Sequence, residues 1–317
     1  MAQIFDVRTL AVPVVQAGMG HIAGHELAAA VSDAGGLGTI AGARAAVATE
    51  IAACRQLTGR PIAVNLLLPF VRPGDVEAAS AADVIVTFWG APRRLAASTW
   101  VHQCGSVEEA RAAVHAGADA VIAQGVEAGG HVRGTTPAIE LLEKIRAAVN
   151  IPVLVAGGIV DAEGVAEALD AGAVAAVVGT RFLASEESRA HAEYKQRCID
   201  AQETVLTELF GLGWPDAPHR VIPNAATRRW LRRDDRGPAW IRSADRAMTR
   251  LVTALPPAAQ NRALRAQPPQ LPFIAPEPPT DGEAAKLVDW RPLYAGANVG
   301  RIADIRTAAE LVKTLTP

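Results

Sequence analysis

The run Ala123-Gln124-Gly125-Val126-Glu127-Ala128-Gly129-Gly130-His131 puts a histidine at the end of a glycine-rich turn that follows an apolar stretch, residues 118–122. A histidine titrates near neutral pH, so at the mouth of a site it can move a proton. Glycines such as Gly129 let the backbone turn tightly and let a flat ligand approach closely. The same run also reads as a strand-to-helix turn with an exposed histidine. Two later turns, Ala156-Gly157-Gly158-Ile159 and Gly179-Thr180-Arg181-Phe182, offer unobstructed backbone N–H groups, and Thr180 adds a hydroxyl. About twenty residues apart and in this order, with helices expected to follow, they suit a phosphate. Gln16-Ala17-Gly18-Met19-Gly20 ends the first apolar run with small residues that let the backbone lie flat against a ring system, with Met19 over one face or in the core. Asn65 and Gln124 each end an apolar run and can both donate and accept hydrogen bonds, to a ring edge or to their own turn. Glu127 is read as orienting a neighbour, not as the principal base.

These residues need elements to hold them. The first 190 or so residues alternate short apolar runs with alanine-rich helical ones. Strands are expected at 12–16, 38–41, 62–65, 84–87, 100–103, 120–123, 153–156 and 175–178, with helices at 25–34, 46–57, 107–115, 138–148 and 163–171. Gly35, Gly117 and Gly172 stand where helix C-caps should be. Runs that are apolar throughout suit parallel strands buried on both faces. Eight β-α units in a row indicate an α/β protein, a (β/α)8 TIM barrel, with a doubly wound open sheet as the competitor. In such a barrel functional groups sit at the C-terminal ends of the strands, and phosphate commonly binds after strands seven and eight.

The character changes after Tyr194. Residues 195–317 are expected to be an elaboration packed on a barrel formed by residues 1–194. They hold a proline-rich connector at 268–279, either a surface tether or a strap over the barrel mouth, and a closing amphipathic helix at about 302–315. Trp214, Trp230 and Trp240, with Pro215 and Pro218, form either a lid or a packed surface flap.

Composition narrows the classes. The chain has 317 residues, 50% hydrophobic and 20% charged, with a net charge of −2. That charge gives no electrostatic case for nucleic acid or an anionic membrane. Arg228, Arg229, Arg232 and Arg233 surround Trp230 but are offset by Asp234 and Asp235, as on a solvated helix face. Cys54, Cys104 and Cys198 lie far apart, which argues against zinc and a disulfide framework. Neither a signal peptide nor a transmembrane run is read, so a cytoplasmic protein is expected, with an oligomer compatible.

The ordered set QAGMG, GGLGTIAG (35–42), NLLLP (65–69), AQGVEAGGH, LVAGGI and VVGTRFLAS resembles the nitronate monooxygenase (2-nitropropane dioxygenase) family and its relatives, the flavin-dependent enoyl-acyl-carrier-protein reductases. The match covers residues 11–190, and Glu203-Thr204-Val205, APHRVIPN (217–224) and LYAGANVG (293–300) extend it. The resemblance implies a (β/α)8 barrel with non-covalent FMN. It implies that Gly18 and Met19 contact the isoalloxazine and that Asn65 and Gln124 hydrogen-bond the flavin. It implies that Gly157, Gly158, Gly179 and Thr180 bind the phosphate, and that His131 is the active-site histidine beside the flavin. The implied reaction is oxidation of a nitronate by O2 to a carbonyl compound and nitrite. The alternatives are NAD(P)H-dependent reduction of an enoyl thioester, and a flavin-binding barrel without efficient turnover. One departure stands out. Many family members carry His-Lys-Cys at the end of strand five, whereas this chain has His102-Gln103-Cys104. A cation that would stabilise reduced flavin is therefore missing. His21 and His25 flank the first helix, either lining the site or, as the commoner case, standing on the surface.

Overall fold

Eight short runs rich in valine, isoleucine and alanine become eight parallel strands: β1 Val14–Gln16, β2 Gly38–Ala41, β3 Ile62–Leu67, β4 Val84–Phe88, β5 Thr99–Cys104, β6 Ala120–Gln124, β8 Val153–Ala156 and β9 Ala176–Val178. The computed structural model describes residues 6–42, 47–96, 98–211, 214–232, 234–253 and 277–317. The strands lie in the order β1-β9-β8-β6-β5-β4-β3-β2. Gln16 N donates to Leu37 O (2.9 Å) and Leu37 N to Val14 O (3.0 Å), joining β1 to the residue before β2. The ring so formed is a TIM barrel, not an open sheet.

Side chains alternate across each strand, as the pleat requires. Val121, Ala123, Val153, Val155, Ala176 and Val178 face the core shared with the helices. Their neighbours Ala120, Ile122, Leu154, Ala156 and Val177 form a second cluster with Val15 and Val86. Both faces are buried, so the strands read as unbroken apolar runs.

The outer ring contains α1 His25–Asp33, α2 Val47–Leu57, α3 Pro73–Ala79, α4 Val107–His115, α5 Ala138–Ala148 and α6 Ala162–Asp170, with a short α7 Thr180–Leu183 after β9. Ser106 caps α4 by accepting from Glu109 N (3.2 Å), and Asp161 caps α6 by accepting from Gly164 N (3.0 Å).

Beyond the barrel come α8 Ala192–Asp200, α9 Ala225–Trp230 and α10 Ala239–Thr253. The closing helix α11, Ala308–Leu315, is shorter than the expected 302–315. Thr307 and Glu310 form a reciprocal capping box that fixes its start. Leu311, Val312 and Leu315 join the same apolar cluster as Leu27 and Val31 of α1, so this helix packs into the barrel's outer ring.

A three-stranded antiparallel sheet was not expected. It consists of β7 Gly130–His131, β10 Val205–Thr207 and β11 His219–Val221, ordered β10-β11-β7. The proline-rich connector lies outside the described residues except for Glu277–Pro279. Among the described residues, no helix is long and apolar enough to cross a membrane, and no group of histidine, cysteine and acidic residues could hold a metal ion. The three cysteines are buried and unpaired.

Candidate active site

The inward side chains of the barrel strands form the floor of a cavity of about 270 Å³, with Val15, Val86, Ile122, Ala156 and Val177 on its wall. Every residue that the resemblance assigns to cofactor or catalysis lines this same cavity, as does Gln103. Most stand at or just beyond strand C-terminal ends, where a barrel presents its loops.

Close backbone approach is built in on two sides. A Cβ placed on Gly18 would come within 2.4 Å of Asn65 Cβ, so only hydrogen lets the β1 turn pass the β3 strand end. Asn65 lies half-buried on the wall, and its amide makes no hydrogen bond to another described residue. After β8, Gly158 takes φ +72, and its carbonyl accepts from Asn298 Nδ2 at 2.7 Å. The N–H groups of Gly157, Gly158 and Gly179 donate to no described residue. Thr180 Oγ1 accepts from Gly296 N (2.9 Å), which leaves its own O–H free to donate outward. Unpaired backbone donors are costly unless a ligand or water meets them, so this pair of turns fits a phosphate. Asp161 caps α6 by engaging Gly164 N, whereas Gly179, at the N-cap of the short α7, carries no side-chain cap. The donors are those of the turns themselves.

His131 is placed by pairing, not by a loop. It lies opposite His219 in the β7–β11 ladder, and Val132 N donates to Pro218 O (2.8 Å). Gln124, at the end of β6, holds the strand from beneath. Its Nε2 donates to His131 O (2.9 Å) and its Oε1 accepts from Arg133 N (3.1 Å). Both ends of this amide are therefore engaged with backbone around the histidine, although Gln124 also reaches the cavity wall. Glu127 accepts from Ala138 N at the start of α5 (3.0 Å), as suits an orienting carboxylate.

The His131 ring sits among aromatics. Trp214 stacks on it with centroids 4.0 Å apart and planes at 19°. His219 and Tyr294 stand at 5.2 and 5.6 Å. His131 Nε2 is buried without a hydrogen-bond partner. Burial holds the imidazole pKa well below 6.5, and His219 pushes the same way. At neutral pH His131 is uncharged. His219 itself is fixed by Ala217 O at Nδ1 (3.0 Å) and by Phe210 N, which donates to its Nε2 (3.2 Å). Burial brings it to about 4.

Other features of the site carry weaker signals in the sequence. Gln16 is wholly buried. It accepts from Thr39 N (2.9 Å) and donates to Ala17 O, fastening β1 to β2. His102, beside Gln103, points to the opposite face of β5, away from the cavity, where it meets Thr87 Oγ1 (2.7 Å) next to Trp100, and burial lowers it to about 4. His21 lines the cavity near Glu277 (3.8 Å), contrary to the surface reading. His25 lies instead in an ion-pair network with Glu50, Glu26 and Arg189. Trp214 lines the cavity, whereas Trp230 and Trp240 pack on each other (5.7 Å) away from its wall.

The nitronate monooxygenase family profile matches residues 2–103 and 93–317. The chain belongs to this family. A nitronate monooxygenase from Pseudomonas aeruginosa is 33% identical over 276 residues, covering 68% of this chain and 79% of that protein. A second relative, from Mycobacterium tuberculosis, is 36% identical over 228 residues. It is named (3aS,4S,5R,7aS)-5-hydroxy-7a-methyl-1-oxo-octahydro-1H-indene-4-carboxyl-CoA dehydrogenase. That match covers 66% of this chain and 62% of the relative's length. Among solved structures, FabK from Thermotoga maritima superposes with a TM-score of 0.77 at 28% identity, covering 98% of this chain and 93% of that one.

Proposed function

We propose that this family member oxidises alkyl nitronates or nitroalkanes, with FMN and O2, to a carbonyl compound and nitrite. The observation that carries the reading is the convergence of the phosphate-fitting turns and a neutral, unpartnered His131 on one cavity. FMN, when bound, supplies electron transfer and the reaction with oxygen. The chain's own residues supply everything else. Gly157, Gly158 and Gly179 present N–H groups to the phosphate, and Thr180 presents its O–H. Gly18, Met19 and Gly129 give the ring system flat, close walls, and Asn65 offers an unengaged amide to its edge.

His131 acts on the substrate. As a neutral imidazole it donates an N–H to a nitronate oxygen without the desolvation cost of a buried cation. With a neutral nitroalkane the same ring accepts the α-proton at Nε2. Its low pKa makes it a weak base, so preformed nitronates are the better substrates. Gln124 holds the His131 backbone in place, and the aromatic surround excludes water from the reacting groups.

Nitrite release from ethylnitronate in air tests the reading. Wild type should release nitrite and His131→Asn should retain flavin but release far less. A flavin-loaded wild type that leaves ethylnitronate untouched overturns it.

A second reading is NAD(P)H-dependent reduction of an enoyl thioester. It is favoured by the coenzyme A thioester in the name of the mycobacterial relative. His131 would then donate to the thioester carbonyl.

A further inference from the structure

The indole of Trp214 covers one face of the imidazole that the proposed reaction uses. It lies at 4.0 Å and 19° to His131, with Trp89 edge-on at 4.8 Å and Phe70 edge-on at 5.2 Å. Trp89 is itself held: its backbone takes φ +62, and the Arg133 guanidinium lies 4.9 Å over its ring. The backbone of Trp214 is tied on both sides. Trp214 N donates to Gly211 O (2.9 Å), and Asp216, two residues on, pairs with Arg246 of α10. Trp214 Nε1 is buried without an acceptor among the described residues. The indole therefore earns its place by shape, at the expense of an unmet N–H.

We propose that Trp214 is the specificity-determining residue of this site. It occupies the space beside His131 that a bulky substituent on the reacting carbon would need, so that short-chain nitronates enter and aryl-substituted ones do not. The inference rests on the proposed nitronate oxidation. It also extends that reading, because it names the substrate class by size and assigns the selection to one side chain. Phe70 and Trp89 back the indole, so a larger substrate cannot simply push it aside. An apolar pocket discriminates by roughly tenfold to two-hundredfold per methylene, and removing a whole indole should be at the upper end of such effects.

The test compares wild type, Trp214→Ala and Trp214→Phe, each loaded with flavin, on ethylnitronate and on the nitronate of phenylnitromethane. The quantity read is the ratio of kcat/KM for the aryl substrate to that for the ethyl substrate. Trp214→Ala should raise this ratio at least about tenfold, and Trp214→Phe, which keeps a flat ring, should raise it much less. An unchanged ratio in a folded, flavin-bearing Trp214→Ala overturns the proposal. If that variant does not fold, Trp214→Leu takes its place with the same criterion.

A second readout needs no turnover. The His131 ring resonance, identified by its loss in His131→Asn, is titrated by NMR in wild type and in Trp214→Ala. His219 and Tyr294 still face the ring in both, so a rise of the His131 titration toward 6.5 reports the lost indole cover. No rise means that the indole does not cover His131 and removes the basis for selection. If no variant consumes either nitronate, the proposed function fails, and the titration still decides whether Trp214 stands where the inference needs it.

Discussion

In the proposed reaction His131 carries the chemistry, and its neighbours set what it can do. With its pKa held well below 6.5, the ring stays uncharged through the neutral range. Turnover of a preformed nitronate should therefore be flat from pH 6 to 8 as far as His131 is concerned. It should change only at more acidic pH, as the ring protonates. His131→Asn keeps a polar side chain but cannot accept the α-proton of a neutral nitroalkane, and with nitroethane as substrate should lower nitrite release by about 10²- to 10⁴-fold with flavin retained. Activity equal to wild type would show that another group does the work. That His131 and the two glycine turns would stand at strand ends was legible in the sequence because each depends on local spacing: a glycine run after a strand, and two glycine turns in order. The surroundings of His131 were not. Trp214 could be singled out as a tryptophan in a proline-flanked loop, but its stacking on His131 spans 83 positions of chain, from 131 to 214, and leaves no periodic trace. Gln103, at the position where the resemblance implies a lysine, stands on the cavity wall.

At the level of elements, the eight barrel strands were read nearly to their ends, because burial on both faces leaves unbroken apolar runs such as Val84–Phe88. The small sheet of β7, β10 and β11 escaped because strands of two or three residues have no pattern of their own. They exist because Gly130 and His131 meet Arg220 and His219 in space. Gln124 is the support that the sequence suggested for another purpose. Gln124→Leu leaves His131 O and Arg133 N without partners, at about 1–3 kcal/mol for each buried group left unmet. It should lower thermal stability and nitrite release together while flavin still binds. A Gln124→Leu variant of wild-type activity would mean that β7 holds His131 unaided. At the phosphate turn, Gly158→Ala places a Cβ 3.0 Å from Asn298 Nδ2 at φ +72. The left-handed conformation costs an L-residue about 1–2 kcal/mol, and relief of that strain moves the donors. Flavin dissociation, followed by flavin fluorescence, should become roughly tenfold easier; unchanged affinity would place the phosphate elsewhere.

Across the whole molecule, buried titratable groups shape stability in opposite directions. His102 and His219 titrate near 4 when folded, against 6.5 unfolded, and His131 is also depressed. Below pH 6.5 the unfolded chain therefore binds more protons at these sites, and stability is lost as pH falls toward 4. Asp245, on α10, is buried with neither carboxylate oxygen partnered among the described residues, and burial raises it to about 8 from 3.8. Between those values the folded chain holds the extra proton, so this group costs stability as pH rises. Three histidines outweigh one aspartate below pH 6.5, and the aspartate acts alone from there to 8. Thermal stability should peak near pH 6.5 and decline toward pH 8 by up to about 1.4 kcal/mol per unit. Asp245→Asn should remove that alkaline decline; a decline of the same size in the variant would contradict the assignment. The proposed reaction brings nitronate and oxygen to the flavin and needs no reduced nicotinamide. The most direct test is an anaerobic visible spectrum of the flavin-loaded protein, titrated in parallel with ethylnitronate and with NADPH. Loss of the oxidised-flavin absorption on adding ethylnitronate, with no response to NADPH, is the predicted result. Bleaching by NADPH alone, with ethylnitronate inert, would contradict nitronate oxidation and favour the thioester reductase.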